Sequence, residues 1–477
     1  MRECATKLLA TRSPHALPSN SSFLQDLLSS IAERGRNLLP ASLLGSGRKD
    51  NLHALASALL TGQGEASGVA LAREILTKYR SLPADNQRAF VRHIATTMTP
   101  EAEAVTRAAT SYIAAPGDKT LADLQRAVES PRQEFFRRLN LAPGGTSEIV
   151  ALRADLLRQP KGDPALAALD QDLQHLLSSW FNRGFLVMRR IDWQTPAAVL
   201  EKIIRYEAVH QIQGWDDLRR RLDPTDRRLF AFFHPALVDE PLIFVEVALT
   251  DETPGSIQAV LGETLKTAPT APAHTTAVFY SISNCQEGLR GISFGNFLIK
   301  QVVEELVKEM PSLKTFVTLS PVPTFARWLD RALADENVSD IPESDRKALR
   351  KLRDPRWLEA EDEGESLRAP VLATAAHYFL RAKSADTYPV DPVARFHLGN
   401  GARLDRLNWL GDISEKGLRE AHGLMVNYKY ALDEIEENHE AYENAHEVAA
   451  GKAVRSLLRS PEKPKPDATK RLALPSR

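Results

Sequence analysis

The segment 276–323 constrains the fold more than any other part of this 477-residue chain. Alternation of apolar and polar side chains predicts a strand over 278–283. A loop with three glycines follows, and apolar residues at helical spacing then predict a helix that Pro311 ends. A second strand over 314–319 leads into a Ser-Pro-Val-Pro turn. This order is typical of a β-α-β unit in an α/β domain.

The glycine-containing loop is suited to hold phosphate, because backbone N–H groups at a helix N-terminus attract anions. The alternative is an ordinary crossover whose glycines only allow tight packing. If the loop holds phosphate, the hydroxyl of Ser320 at the end of the next strand lies near the group that is attached to the phosphate. Together these features predict a coenzyme A thioester bound by its pyrophosphate. The predicted binding residues are Arg290, Gly291, Ile292, Ser293, Phe294 and Gly295.

Bulk properties exclude several classes of function. Lys and Arg total 61 and Asp and Glu total 62, so a net charge of −1 gives no field for nucleic acid. No apolar run approaches the length of a transmembrane helix, so we expect no membrane span. Only Cys4 and Cys285 occur, so no disulfide framework is expected and a reducing compartment fits. We therefore expect a cytoplasmic protein.

Several motifs resemble known families. RGISFG followed by NFL is similar to the acetyl-CoA-binding loop of the GNAT superfamily, with Ser293 where glycine is usual. Over about residues 130 to 430, five separated motifs occur in the order found in the malonyl-CoA decarboxylase family. They are FFHPALVDEPLIFVEVALT, SISNCQEGLRGISFGNFLIK, TLSPVPTFARWL, DPVARFHLGNGARLDRLNWLGDIS and GLMVNYKY.

The resemblance implies an activity, the decarboxylation of malonyl-CoA to acetyl-CoA and carbon dioxide. The thioester carbonyl would itself accept the electron pair, so we expect neither a metal ion nor an organic cofactor. The family also implies a homo-oligomer, either a dimer or a tetramer. Two alternatives remain: an acyltransferase of the GNAT type that uses the same loop, and a non-enzymatic sensor of coenzyme A thioesters.

Four side chains are the candidate catalytic residues. Ser320 follows a predicted strand, and by spacing alone it could instead cap a helix over 324–333. His397 lies between apolar residues, where a core histidine is the alternative. The resemblance identifies the two as a catalytic pair. It also implies that Ser281 faces the acyl group and that Tyr430 orients His397 or the carboxylate.

Other candidates carry weaker signals. Asn400 is a further candidate for binding the substrate, as a hydrogen-bond donor. Some relatives have Glu at the position of Ser293, so a role for that carboxylate cannot be transferred. GISFG matches the nucleophile elbow Gly-x-Ser-x-Gly, but a polar loop separates it from the preceding strand. Cys285 could act as a thiol nucleophile, although a lone cysteine is more often a small packed residue. His439 and His446 are expected on a solvated helix face rather than at a zinc ion.

The predicted fold class is α+β and multidomain. Residues 21–185 are expected to form an all-α helical bundle that serves oligomerisation, because Phe135, Phe136 and Leu139 place apolar side chains on more than one face. Residues 186–458 are expected to form a GNAT-like α/β catalytic domain with a mixed sheet, ending in a helix over 433–458. Residues 1–20 and the basic tail 459–477 are predicted to be disordered.

Overall fold

The structure is a computed structural model. It describes residues 20–39, 50–61, 64–262, 274–292, 298–334, 341–359 and 361–459. The two ends predicted to be disordered therefore lie almost wholly outside the described residues, as do Ser293, Phe294 and Gly295 of the predicted phosphate loop. Within these ranges, the chain has no helix that combines the length and the apolar character needed to span a bilayer.

The described residues up to Trp180 form helices only, which confirms the predicted helical region. At the start of the helix Pro164–Trp180, Asp163 accepts a hydrogen bond from the backbone N–H of Ala165 and Pro164 takes the first helical position. The helices are Asn20–Arg36, Asp50–Leu60, Glu65–Ser81, Ala84–Thr97, Ala102–Ala114, Asp118–Val128, Pro131–Leu139, Gly145–Leu157 and Pro164–Trp180.

The apolar residues on several faces of the helix Pro131–Leu139 pack inside the chain. Phe135 and Phe136 are fully buried, and Leu139 is 2% exposed. The two phenyl rings meet edge to face at 5.4 Å. These side chains therefore belong to the core of the helical region, and the argument that they mark a subunit interface is wrong.

The second half of the chain is built on a mixed sheet, as predicted. Its strands are β1 (Val187–Ile191), β2 (Arg227–His234), β3 (Leu237–Thr250), β4 (Thr276–Asn284), β5 (Thr315–Thr318), β6 (Ser320–Pro321), β7 (Arg403–Asn408) and β8 (Met425–Lys429). The strand order is β1-β2-β3-β4-β5-β8-β6, and β7 also pairs with β8.

Strands β4 and β5 give the sheet the character expected of a GNAT-like domain. They pair in parallel from Thr276 opposite Thr315 to Phe279 opposite Thr318, and the helix Leu298–Glu309 lies between them in sequence. Strands β3 and β8 pair with them in the antiparallel sense. Beyond Phe279, β4 continues to Asn284 without β5.

Further helices accompany the sheet. They are Ala197–Tyr206, Trp215–Leu222, Ile257–Gly262, Leu298–Glu309, Phe325–Ala334, Glu343–Leu349, Glu361–Leu380, Pro392–Gly399, Glu415–Ala421, Ile435–Ala445 and Lys452–Arg455.

The prediction of one helix over 433–458 is wrong. The first helix there ends at Ala445, where His446 takes a left-handed conformation with φ of 54°. The chain then passes along β7, since Leu404 donates its N–H to Ala449 and accepts one from Gly451. Pairing with a strand edge thus replaces helical hydrogen bonds over this stretch.

The chain divides into two compact units. The first comprises Met1–Val187, Phe232–Leu242 and Cys285–Phe294. The second comprises Met188–Ala231, Ile243–Asn284 and Gly295–Arg477. The first unit thus includes the segment that enters the predicted phosphate loop. The predicted domain limits of 21–185 and 186–458 stay a prediction.

Candidate active site

Ser320 and His397 lie next to each other in the second unit. The Ser320 Oγ is 3.1 Å from His397 Nε2, although the two residues are 77 positions apart. The Ser320 hydroxyl donates to Thr318 Oγ1 at 2.8 Å. Ser320 is 4% exposed and His397 is 3% exposed. The pair predicted from separate motifs is therefore brought together and shielded from water.

Tyr430 completes a chain of hydrogen bonds through the imidazole. Its hydroxyl lies 2.9 Å from His397 Nδ1. The single proton of Ser320 is directed to Thr318, so the bond between Ser320 and His397 requires the proton on Nε2. A neutral imidazole then accepts at Nδ1, which the Tyr430 hydroxyl can supply. The direction of donation is thus from Tyr430 to His397 to Ser320 to Thr318.

Burial fixes the charge state of this chain. Desolvation lowers the pKa of His397 to about 3, so the imidazole is neutral near pH 7. The same effect raises the pKa of Tyr430 well above its usual value, so the phenol keeps its proton. The Tyr428 ring stacks on the imidazole at 4.6 Å between centroids. His397 and Tyr430 therefore act as neutral hydrogen-bonding partners.

Three elements hold these side chains in place. Ser320 lies in β6 opposite Val426 of β8. His397 lies on the helix Pro392–Gly399, which Asp391 caps by accepting the N–H groups of Val393 and Ala394. These positions follow from local sequence, since Asp-Pro is a helix-start signal.

The end of β8 sets the third position and links the pair to the sheet. Tyr430 follows this strand directly and donates its backbone N–H to Phe316 of β5 at 2.8 Å. Thr318 Oγ1 accepts the backbone N–H of Tyr428 at 3.1 Å as well as the Ser320 hydroxyl. The serine is thereby tied to two neighbouring strands.

Ser281 occupies a separate polar cluster in the same unit. Its hydroxyl donates to the Glu207 carboxylate, with distances of 2.9 and 2.8 Å to the two oxygens. Ser283 donates to the same carboxylate at 3.1 Å. The backbone N–H groups of Val209 and His210 also donate to Glu207 Oε1, each at 2.8 Å. A buried carboxylate thus holds the hydroxyl that was predicted to face the acyl group.

The predicted coenzyme A loop is described only at its start. Arg290 is exposed, Gly291 has a φ of 82° and Ile292 is buried. The N–H groups of Arg290 and Ile292 donate to Glu287 and Leu289 within a local turn. Those two groups therefore do not point at an anion, contrary to the expectation from the glycine pattern.

The remaining candidates have other surroundings. The Asn400 side chain donates to the Phe396 carbonyl at 2.6 Å, so it closes the helix that carries His397. Cys285 is buried. His439 Nδ1 lies 2.7 Å from the Gly399 carbonyl, and His446 follows the end of the helix. Among the described residues, no group of three His, Cys, Asp or Glu is arranged to hold a metal ion.

Sequence reasoning missed Thr318 and Glu207. Thr318 lies two positions before Ser320 on a strand, so its side chain shares a face with the serine, and this spacing could have identified it. Glu207 follows the helix Ala197–Tyr206 and lies 74 positions from Ser281. No local pattern marks it, because its role depends on a contact made only in the folded chain.

Comparison with known proteins identifies the family. The profile of the malonyl-CoA decarboxylase C-terminal domain matches residues 184–468, and that of the N-terminal domain matches residues 98–181. Crystal structures of malonyl-CoA decarboxylase from Rhodopseudomonas palustris and Agrobacterium vitis are 53% and 51% identical. Each covers 86% of this chain and 100% of its own, with TM-scores of 0.82 and 0.80.

A curated relative leads to the same family. The mitochondrial malonyl-CoA decarboxylase of Anser anser anser is 38% identical over 70% of this chain and 71% of its own. These matches define a carboxy-lyase. The chain belongs to the malonyl-CoA decarboxylase family, and its reaction is the decarboxylation of malonyl-CoA.

Proposed function

We propose that Ser320 and His397, supported by Tyr430 and Thr318, carry out the decarboxylation of malonyl-CoA. The bond between the α-carbon and the carboxylate breaks, and its electron pair passes into the thioester carbonyl to form an enolate. Hydrogen-bond donors stabilise the enolate oxygen. A proton added to the α-carbon then gives acetyl-CoA.

The neutral imidazole suits the proton step. Ser320 can turn its hydroxyl from Thr318 toward the substrate and deliver its proton, while His397 Nε2–H replaces it. Tyr430 keeps its proton and donates its hydrogen bond to Nδ1 throughout, and His397 Nε2 regains a proton from solvent after product leaves. The observation that supports this proposal is the buried sequence of contacts from Tyr430 through His397 to Ser320.

One assay tests the proposed reaction. Purified protein is mixed with malonyl-CoA in the absence of any amine or carrier acceptor, and the release of carbon dioxide is measured. Release at a rate proportional to protein supports the decarboxylase. An acyltransferase would consume malonyl-CoA only when an acceptor is added, and a sensor would bind it without releasing gas.

We also propose that the reaction is independent of metal ions, because the thioester carbonyl itself accepts the electron pair. Protein dialysed against EDTA should keep its kcat for malonyl-CoA within about twofold, since no step draws on Lewis-acid assistance. The control is dialysis in buffer alone. Loss of turnover that zinc or magnesium restores would contradict this prediction.

We propose further that the protein forms a homo-oligomer through a helical hairpin, Ala102–Ala114 and Asp118–Val128. Neither helix has a buried residue, and the hairpin therefore leaves apolar side chains accessible. Ile113 is 78% exposed and Val128 is 49% exposed. A second copy of the chain would cover these apolar side chains. The size of the oligomer, dimer or tetramer, is a question for light scattering.

A cytoplasmic location is our proposal for this chain. With two cysteines in 477 residues, its composition suits a reducing compartment. The curated relative from Anser anser anser is named as mitochondrial, so its location differs from the one that we propose for this chain. Cell fractionation followed by immunoblotting tests the proposal, and recovery of the protein in an organelle fraction would contradict it.

A further inference from the structure

One buried carboxylate joins two segments of the candidate site. Asp391 Oδ1 caps the helix Pro392–Gly399, which carries His397, by accepting two backbone N–H groups of its first turn at 2.9 and 3.0 Å. Asp391 Oδ2 accepts the hydroxyl of Thr324 at 3.1 Å, across 67 positions of sequence. Thr324 ends the Ser-Pro-Val-Pro-Thr turn that begins at Ser320. The two oxygens of one side chain therefore hold the serine turn and the histidine helix together.

A tyrosine takes part in the same contact. The Tyr378 hydroxyl lies 2.6 Å from Thr324 Oγ1 and 3.4 Å from Asp391 Oδ2. The Thr324 proton is directed to the carboxylate, so the shorter contact requires the Tyr378 hydroxyl to donate to Thr324. Burial raises the pKa of Tyr378, so its hydroxyl keeps the proton that it donates. The direction of donation is thus from Tyr378 to Thr324 to Asp391.

The surroundings of these three groups exclude water. Asp391 is 1% exposed, and the Tyr378 ring meets that of Phe325 edge to face at 5.4 Å and lies 4.8 Å from that of Trp328. The backbone N–H of Thr324 is a further donor to the carboxylate. A carboxylate in a dry interior depends on every donor that reaches it, and its hydrogen bonds are stronger there than at the surface. The connection through Asp391 is therefore stiff.

The turn between Ser320 and Thr324 has little freedom to absorb a displacement. Pro321 and Pro323 occupy two of its three intervening positions, and the proline ring fixes φ at each of them. The side chain of Val322 between them is buried. A displacement of Thr324 is therefore passed on to Ser320 rather than taken up within the turn.

We infer that Asp391 is a positioning residue for the decarboxylation, which keeps Ser320 and His397 at hydrogen-bond distance by fixing Thr324 to the start of the histidine helix. This inference rests on the proposed catalytic role of the pair. The 3.1 Å between Ser320 Oγ and His397 Nε2 is close to the upper limit for a hydrogen bond, so a small displacement of either segment breaks it. Asp391 acts through the backbone on both sides of the pair.

Asp391→Asn breaks this connection without removing the helix cap. Asparagine keeps one oxygen for the backbone N–H groups of the helix and is as good a cap as aspartate. Its NH2 group faces the N–H of Thr324, where the carboxylate offers an acceptor. We expect the kcat for malonyl-CoA to fall at least about tenfold, because a displacement of roughly 1 Å can cost on the order of 100-fold. The KM should stay within about twofold.

Thr324→Val breaks the same connection from its other end and leaves the Asp391 side chain in place. Valine has the shape of threonine without the hydroxyl, and we expect a similar fall in kcat. Thr324→Ser keeps the hydroxyl, so its kcat should stay within about twofold of wild type. The double variant Asp391→Asn/Thr324→Val should fall no further than either single variant by more than about twofold, since both changes remove one contact.

Asp163→Asn is the matched control. Asp163 also precedes a proline and caps a helix, Pro164–Trp180, by accepting the N–H of Ala165. It belongs to the first compact unit, whereas Asp391 belongs to the second. Thermal melts on both variants measure any general loss of stability. Only Asp391→Asn should lower kcat, and that of Asp163→Asn should stay within about twofold of wild type.

A second background shows whether Asp391 acts through the pair. In Ser320→Ala there is no pair left to position, so adding Asp391→Asn should change the remaining kcat by less than about twofold. A loss by the same factor as in wild type would show a general structural effect and overturn the inference.

Crystal structures of wild type and Asp391→Asn separate this inference from the proposed function, because they need no turnover. We expect the distance between Ser320 Oγ and His397 Nε2 to grow beyond about 3.5 Å in the variant. An unchanged distance would overturn the inference, whatever the kcat. A longer distance with the kcat of wild type would support the positioning by Asp391 and contradict the proposed catalytic role of the pair.

Discussion

At the residue scale, the four side chains from Tyr430 to Thr318 act as one hydrogen-bonded unit. Each contact lies between 2.8 and 3.1 Å, and the participating residues are almost fully buried. In such a unit the effect of one substitution extends to its neighbours. The unit is expected to respond to changes at Ser320 and His397 in similar degree.

Ser320→Ala and His397→Asn should each lower kcat by at least about 100-fold, the usual size of an acid–base or oxyanion contribution. Binding of coenzyme A should persist in both variants, which calorimetry can measure. Cys285→Ser is the control and should remain active. A kcat like that of wild type in both variants would show that Ser320 and His397 are not the catalytic pair. Loss of activity in Cys285→Ser would instead favour the Cys285 thiol as the nucleophile.

Tyr430→Phe should lower kcat by about tenfold while leaving the KM nearly unchanged. Without the Tyr430 hydroxyl, no hydrogen bond at Nδ1 keeps the His397 proton on Nε2, but the imidazole itself remains. Tyr442→Phe is a matched control, since it removes a buried hydroxyl that has no hydrogen-bond partner among the described residues. Steady-state kinetics on both variants decide the matter. Equal effects in the two would show that Tyr430 acts only through packing.

The buried His397 should also affect stability as pH changes. Its pKa is about 3 in the folded chain, against about 6.5 when unfolded. Below about pH 6.5 the unfolded chain binds a proton that the folded chain does not, so the free energy of unfolding falls with falling pH. The stability present above that pH is thus lost progressively toward pH 3.

Urea unfolding of wild type and His397→Asn at several pH values measures this effect. The wild-type slope should exceed that of the variant by up to about 1.36 kcal/mol per pH unit below about pH 6.5. His210, whose pKa burial lowers to about 4, acts in the same direction and is present in both proteins. Parallel slopes would contradict the prediction.

At the element scale, the turn after the helix Pro392–Gly399 fixes the position of His397. Gly401 has a φ of 78°, and a Cβ there would lie 2.2 Å from the Ile435 carbonyl oxygen. Gly401→Ala should therefore destabilise the chain by roughly 1–3 kcal/mol and lower kcat by displacing the imidazole. Gly68→Ala is the control, since a Cβ at Gly68 meets nothing within 4 Å. Thermal melts and kinetics on both variants measure the effect.

The elements also show how far sequence patterns reach. The strand β4 and the helix Leu298–Glu309 were predicted because their apolar periodicity and the stop signal of Pro311 agree with their tertiary surroundings. No stop signal in the sequence interrupts the helix predicted over 433–458. In the structure, however, residues 449–451 form hydrogen bonds with Leu404 at the edge of β7. Competition from a distant strand cannot be read from local periodicity.

The candidate site likewise contains residues that sequence motifs identified and residues that only the fold reveals. Ser320, His397 and Tyr430 were identified from motifs, and their contacts were then found in the fold. Glu207 and Arg153 lie in none of the motifs, and nothing in their local sequence indicates the partners that lie 74 and 135 positions away. Polar residues that act through long-range contacts are therefore the part of a site that sequence leaves out.

At the scale of the whole molecule, we propose that the helical region serves assembly. Arg153 ties it to the segment that enters the coenzyme A loop, so a truncated chain starting at Phe185 would lose that contact as well as any subunit interface. We expect the shortened chain to lose both the oligomer and stability. A point substitution in the full chain tests assembly while it leaves the contacts of Arg153 in place.

Ile113→Glu in the full chain is expected to reduce the number of subunits, because it places a charge within the exposed apolar face of the hairpin Ala102–Ala114 and Asp118–Val128. Ile113 is 78% exposed, so the change should leave the fold of one subunit intact. Multi-angle light scattering measures the mass, and carbon dioxide release measures activity. Leu38→Glu is the control, since Leu38 is 70% exposed and lies outside the hairpin. An unchanged mass in Ile113→Glu would place the subunit interface elsewhere. A lower mass with an unchanged rate of carbon dioxide release would show that assembly and the chemistry are separate.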